Sequence, residues 1–251
     1  MIMKVDLFFC GDSNTFGTEL EGPEKDQKKR IENRYSSLVA KELSKGAPRD
    51  KTHYNISQSG ACNDWIVKTV VEWFERGNTC DTAIIQFSHE SRWGYYDENG
   101  KYESMPRCFA SDGKKIEDAL GDQYSEYTRE AYEGYCSNIW SEKLELDNYW
   151  KNMFFLRNYL KDKCKVIWMT LSKIPKETVT HSLHKDTNMW SILCKDMEIG
   201  EQVKIVDGNK CITIDTDQNQ MDIKNGKGLY GTHPNEIGHQ NIANWILDRI
   251  R

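Results

Sequence analysis

Short apolar runs suited to strands alternate along this chain with stretches whose apolar residues recur every three or four positions. That alternation constrains the fold more than any other feature. Val5 to Cys10 (VDLFFC) is a buried-strand pattern that ends at Gly11. Tyr54 to Ser57, Thr82 to Phe87 (TAIIQF) and Lys165 to Leu171 (KVIWMTL) predict three further strands, and Cys211 to Ile214 a short fifth. Helical spacing fills the intervals. Arg34 to Leu43 places Tyr35, Leu38, Val39 and Leu43 on one face. Ile66, Val67, Val70, Val71 and Phe74 follow, stopped by Gly77 and Asn78. Asn148 to Leu160 spaces Trp150, Met153, Phe154, Arg157 and Leu160, and Pro234 to Ile250 carries Ile237, Asn241, Trp245 and Leu247 or Asp248 near one stripe. Repeated β-then-α order predicts an α/β protein of three layers (α/β/α), with a parallel sheet covered by helices on both faces. Right-handed crossovers put every strand C-terminus on one edge, where ligands bind. The chemistry is therefore expected just after Cys10, Ser57, Phe87 and Leu171.

Residues 92–146 break this rhythm. They hold no clear core strand and are rich in aromatics, among them Trp93, Tyr95, Tyr96, Tyr102, Phe109, Tyr132 and Trp140. Tyr124, Tyr127, Ala131 and Tyr135 keep helical spacing. The segment reads as an insertion after the third strand, either a surface excursion with its own small core or a cap over the strand edge. No internal repeat or linker divides the chain, so residues 1–251 are expected to form one domain.

Charge and cysteine usage exclude several functions. Thirty-four basic against 39 acidic side chains leave a net charge of -5, which offers no footprint for nucleic acid. The basic run Lys25 to Arg30 reads as a solvated loop. No run approaches the length of a membrane span. Met1 to Cys10 lacks the features of a signal peptide and reads as the first strand. The eight cysteines form no CxxC pair and lie apart from clustered histidines, which argues against a zinc site. Reduced thiols in the cytoplasm are the expectation. No metal or cofactor is called for.

Two segments carry chemistry. Gly11-Asp12-Ser13-Asn14-Thr15-Phe16-Gly17 follows the first strand at once. It sets a hydroxyl in a tight turn at the ligand-binding edge, where Asp12 is placed to satisfy turn or helix-end amides. Gly231-Thr232-His233-Pro234-Asn235-Glu236-Ile237-Gly238-His239 precedes the last helix, and Pro234 suits a first helical position. His239 reads as a structural residue, His233 as a functional one. A serine hydroxyl needs a base to accept its proton, and a neutral imidazole suits that task near pH 7.

Together these segments resemble the GDSL/SGNH hydrolases, whose first block is Gly-Asp-Ser with the nucleophile and whose last is Asp-x-x-His-Pro with the base. A middle stretch, Asn55-Ile56-Ser57-Gln58-Ser59-Gly60, is similar to that family's glycine block. The resemblance implies a flavodoxin-like, five-stranded parallel sheet, with Ser13 as nucleophile and His233 as general base. It implies an oxyanion hole from the backbone N–H groups of Ser13 and Gly60. A side chain at position 60 would obstruct substrate, a reason for glycine there.

Two positions depart from the family pattern. Tyr230 stands where the last block has its Asp, so either a backbone carbonyl or a distant acid (Asp215, Asp217 or Asp222) holds the imidazole, or activity is weak. In the third block, Ser88 replaces a Gly and Glu90 replaces an Asn, and an ionised Glu90 would repel an oxyanion. His89, Ser91 or Arg92 is then the alternative donor, and Arg92 would suit an anionic substrate. Asn14, Ser88, His89, Glu90, Ser91 and Arg92 are the candidate substrate-binding residues.

The leading expectation is an ester hydrolase working through an acyl-Ser13 intermediate on small acyl, lipid or glycan esters, including carbohydrate O-acetyl esters. The alternative is a relative that lost catalysis and serves as a binding or structural module. A phosphate-binding protein ranks last, because Gly11 to Gly17 lacks the GxxxxGK[ST] pattern.

Overall fold

Seven residues, Lys4–Cys10, form the interior strand β1, and its side chains sort by alternation: Leu7 and Phe9 to one face, Phe8 and Cys10 to the other. The computed structural model describes residues 2–18, 20–21, 25–89, 92–97, 99–100, 102–105, 126–171, 201–202 and 233–251. β1 leads into a single helical turn, α1 (Ser13–Phe16), then α2 (Gln27–Asn33) and α3 (Tyr35–Ser44). Strand β2 (His53–Asn55), helix α4 (Asn63–Glu75) and strand β3 (Thr79–Phe87) follow. A hairpin of β4 (Trp93–Tyr96) and β5 (Tyr102–Met105) precedes α5 (Glu126–Asn138) and α6 (Glu142–Leu160). Strand β6 (Lys165–Thr170), the two-residue β7 (Glu201–Gln202) and helix α7 (Glu236–Ile250) complete the described chain.

The main sheet is parallel throughout, five strands in the order β2-β1-β3-β6-β7. Its two cores lie on opposite faces. One packs Phe8, Ala83, Ile85 and Phe87 against Ile66, Val70 and Trp73 of α4 and Met153, Leu156 and Leu160 of α6. There Phe8 stacks on Trp73 at 4.3 Å between ring centres. The other packs Leu7, Phe9, Ile84 and Met169 against Tyr35 and Val39 of α3 and Ile242, Ala243 and Ile246 of α7. Helices on both faces of a parallel sheet make the three-layer α/β/α arrangement expected from the alternation. With β3 central and β1 beside it, the two strands carry their C-terminal ends to the same edge of the sheet.

Several expected elements differ in detail. Lys25 to Arg30 is not a loop, since most of it enters α2, capped by Asp26, whose carboxylate accepts from the N–H groups of Lys28 and Lys29. The final helix is capped by Asn235, so Pro234 lies outside it rather than in its first turn. The buried stripe of α7 runs through His239, Ile242, Ala243, Ile246 and Leu247, while Ile237 is 60% exposed. The expected fifth strand at 211–214 lies outside the described residues, and β7 is the fifth strand observed. The insertion contributes an antiparallel hairpin, and α6 begins inside its expected range. A small core of its own joins Tyr132 and Cys136 to Trp93, Tyr95, Tyr135 and Trp140. Trp93 stacks on Tyr135 at 4.1 Å. Cys136 is disulfide-bonded, which departs from the expected reduced state, whereas Cys10, Cys62, Cys80 and Cys164 are free thiols. Among the described residues no helix is long and apolar enough to cross a membrane.

Candidate active site

The turn after β1 is built by Asp12. Its carboxylate caps α1, accepting from the N–H of Asn14 at 2.9 Å. One oxygen also accepts from Gln86 Nε2 at 2.7 Å, and the other from Ser88 Oγ at 3.2 Å. Arg92 Nη1 stands 3.5 Å from the second oxygen. Asp12 is buried, so these bonds replace the water that folding removed from it. The expectation that Asp12 satisfies helix-end amides holds, and the carboxylate does more: it ties the turn after β1 to the end of β3.

Held in this way, Ser13 is the first residue of α1 and its side chain is buried. Its Oγ lies 2.9 Å from Nε2 of His233, at hydrogen-bond distance. His233 enters from the loop before α7. The two side chains chosen from opposite ends of the sequence thus meet at the strand edge. Tyr230 and the acids Asp215, Asp217 and Asp222 lie outside the described residues.

Below the turn a buried polar chain runs away from Asp12. Gln86 Oε1 accepts from Thr15 Oγ1 at 2.5 Å, and Thr15 Oγ1 accepts from Tyr35 OH at 2.5 Å. Burial pushes the Tyr35 phenol well above its ordinary range, so it stays a donor. The Tyr35 N–H donates to Nδ1 of His239 at 3.2 Å, which confirms His239 as a structural residue. Burial, and then repulsion from His233 and Arg34, pull the His239 pKa down to about 3. The chemical hint in the sequence was Gln86, a polar residue inside an otherwise apolar buried strand.

The middle block lies against the same turn. Asn55 Nδ2 donates to the Thr15 carbonyl at 2.9 Å, the Gln58 N–H donates to the Gly11 carbonyl, and Thr18 Oγ1 donates to Ser59 Oγ. Gly60 has φ +80°, which explains its identity. A β-carbon there would meet no atom of the protein's described residues within 4 Å. Among the described residues the N–H groups of Ser13 and Gly60 have no hydrogen-bond partner.

The third block resolves differently from expectation. Ser88 is buried and committed: its hydroxyl to Asp12, its N–H to Asn63 Oδ1 at 2.8 Å, its carbonyl to Asn63 Nδ2 at 3.2 Å. Arg92 is directed to the Asp12 carboxylate and to Ser88 Oγ, so its charge is already matched within the protein rather than offered to an anionic substrate. Asn14 Nδ2 donates back to Asp12 Oδ1 at 3.0 Å. His89 is half-buried beside this cluster, with its carbonyl accepting from the Arg92 N–H. Glu90 and Ser91 lie outside the described residues.

No protein-family model matches the chain, and no curated protein matches it. Among solved structures, a carbohydrate esterase is similar over 99% of this chain and 68% of its own, at 13% identity and a TM-score of 0.49. An acetyl xylan esterase from Geobacillus stearothermophilus is similar over 99% and 96%, at 15% identity and a TM-score of 0.46. A psychrotrophic esterase from Pseudoalteromonas sp. is similar over 98% and 96%, at 12% identity and a TM-score of 0.46.

Proposed function

We propose that this chain is a serine hydrolase of the GDSL/SGNH type that cleaves carboxylic esters through an acyl-Ser13 intermediate. The observation that carries the reading is the 2.9 Å contact between Ser13 Oγ and His233 Nε2. His233 Nε2 accepts the Ser13 proton as Oγ attacks the ester carbonyl. The resulting oxyanion takes hydrogen bonds from the N–H groups of Ser13 and Gly60, which have no hydrogen-bond partner among the described residues. The imidazolium then protonates the leaving alkoxide, and an alcohol departs. A water molecule, deprotonated by the same imidazole, attacks the acyl-serine and releases the carboxylic acid. Ser13 recovers its proton from His233. No cofactor enters this sequence. The substrate class is a small-molecule or glycan ester, carbohydrate O-acetyl esters included.

The role of Asp12, Gln86, Ser88 and Arg92 in this scheme is to hold the nucleophile's turn rather than to touch substrate. The test is labelling with a fluorophosphonate, which reacts only with an activated serine. Wild-type protein is expected to label and Ser13→Ala not to label. A folded wild-type protein that fails to label defeats the reading.

A further inference from the structure

Two arginines one helical turn apart are wedged between the element that carries Ser13 and the element that follows His233. Arg30 lies in the last turn of α2, and Arg34 joins α2 to α3. The Arg30 guanidinium carbon lies 4.0 Å above the ring of Phe16, three residues past the nucleophile. Arg34 packs as closely on the next residue, since a β-carbon at Gly17 would come within 3.0 Å of the Arg34 β-carbon and 3.4 Å of Arg30 Cγ. Gly17 in turn closes the α1 turn by donating its N–H to the Ser13 carbonyl at 3.0 Å. On the other side the N–H of Tyr35, the residue after Arg34, binds His239 of α7.

Neither guanidinium has an ion pair or a hydrogen bond among the described residues, and the Nε atom of each is buried without a partner. Glu21, which precedes α2, has one carboxylate oxygen buried without a partner, and among the described residues no ion pair joins it to either arginine. Lys29 is matched by Glu236 at 3.3 Å, and both are exposed. His53 and His239 add no negative charge. Burial, followed by repulsion from Arg30, draws the pKa of Arg34 downward, as expected for cations crowded together out of water. Two other partly buried cations among the described residues do face carboxylates: Arg92 stands by Asp12 and Lys51 by Asp6. The Arg30–Arg34 pair shows no such carboxylate among the described residues. Adjacent guanidiniums with no partner among the described residues suit an anion from outside, because two planar forks match the oxygens of a phosphate, sulfate or carboxylate.

From this arrangement we infer that Arg30 and Arg34 form an anion-binding subsite beside Ser13, which holds a phosphate, sulfate or carboxylate group of the ester substrate. This deepens the esterase reading and rests on it for the word substrate. The anion site itself has its own readout. It also replaces the expectation that Arg92 would supply such a contact.

The test is titration of the wild-type protein with inorganic phosphate by calorimetry, repeated on Arg30→Gln and Arg34→Gln. One phosphate is expected to bind wild type, with Kd raised at least tenfold in each variant. Unfolding midpoints measured without phosphate establish that the variants are folded. Absence of phosphate binding to wild type, or binding by both folded variants as tight as wild type, overturns the subsite. A matched pair of aryl esters, one neutral and one carrying a carboxylate, then reads specificity. The ratio of kcat/KM for the anionic over the neutral ester is expected to fall at least tenfold in Arg34→Gln, and an unchanged ratio overturns the role in substrate recognition. Fluorophosphonate labelling separates the two readings: phosphate binding without Ser13 labelling sinks the hydrolase and leaves the anion site standing. Labelling without phosphate binding does the reverse.

Discussion

Tyr35 and His239, 204 positions apart in the chain, are joined by a hydrogen bond from backbone N–H to imidazole Nδ1, with their rings stacked at 5.6 Å. Because Nδ1 accepts, the ring is neutral and carries its proton on Nε2. Its pKa of about 3 in the folded protein lies below the ordinary histidine value of 6.5.

The pH dependence follows from that difference. Between these two values the unfolded chain binds a proton that the folded protein refuses. Stability is full above pH 6.5 and declines as pH falls toward 3, by at most about 1.4 kcal/mol per pH unit from this one group. Half-buried His53, also drawn down by burial and by Arg34, adds a slope of the same sign. Urea unfolding at pH 7.5, 6.0 and 5.0 is expected to show the decline. His239→Gln, whose amide oxygen can still accept from Tyr35, is expected to flatten it, and an unaltered slope in that variant contradicts the assignment.

Removing either member of the Ser13–His233 pair is expected to abolish turnover. In serine hydrolases such groups act as a unit, so Ser13→Ala and His233→Ala should each lower kcat by at least about 10³-fold, and the double variant should be little worse than either. Steady-state rates on an aryl acetate check this. Additive losses in the double variant would mean that the two residues work independently.

Gly11 and Gly60 are expected to fail differently. A methyl group at Gly11 would run into Thr15 Oγ1 and come within 2.9 Å of Gln86 Cβ, so Gly11→Ala should cost about 1–3 kcal/mol of stability. At Gly60 space is open and only the positive φ is strained, at about 1–2 kcal/mol. Gly60→Ala should lose activity out of proportion to stability, about 10²-fold or more, if its N–H serves the oxyanion. Denaturation curves and rates measured side by side distinguish the two cases.

Asp12→Asn tests the polar bracket under the nucleophile. The variant keeps shape but leaves Arg92 without its carboxylate and presents an amide N–H to the donors Gln86 or Ser88. A loss of about 2–3 kcal/mol is expected, with slower fluorophosphonate labelling. Wild-type stability would show that the bracket contributes little.

The sheet was legible because its strands bury both faces. Val5 to Cys10 and Thr82 to Phe87 are nearly continuous apolar runs, and no other environment suits them as well. Ser13 and His233 were legible through their positions beside a strand end and a helix start. What escaped had no periodic signature. α2 has no buried residue, so its sequence shows no stripe, and its visible cue is the Asp26 cap. The α7 stripe was misplaced because His239, a polar residue by type, is one of its buried positions. The contacts of Asp12 with Gln86 and of Arg34 with Gly17 are facts of tertiary packing, and spacing along a chain does not encode them.

The separation of Ser13 from His233 bears on biosynthesis. A growing chain presents its hydroxyl within the first strand–turn unit, but the imidazole proposed to activate it is made 220 residues later. Truncated or stalled translation products therefore carry the nucleophile in an inert form. On the proposed mechanism, ester cleavage therefore begins only once α7 has docked, and reports a late stage of folding rather than its onset.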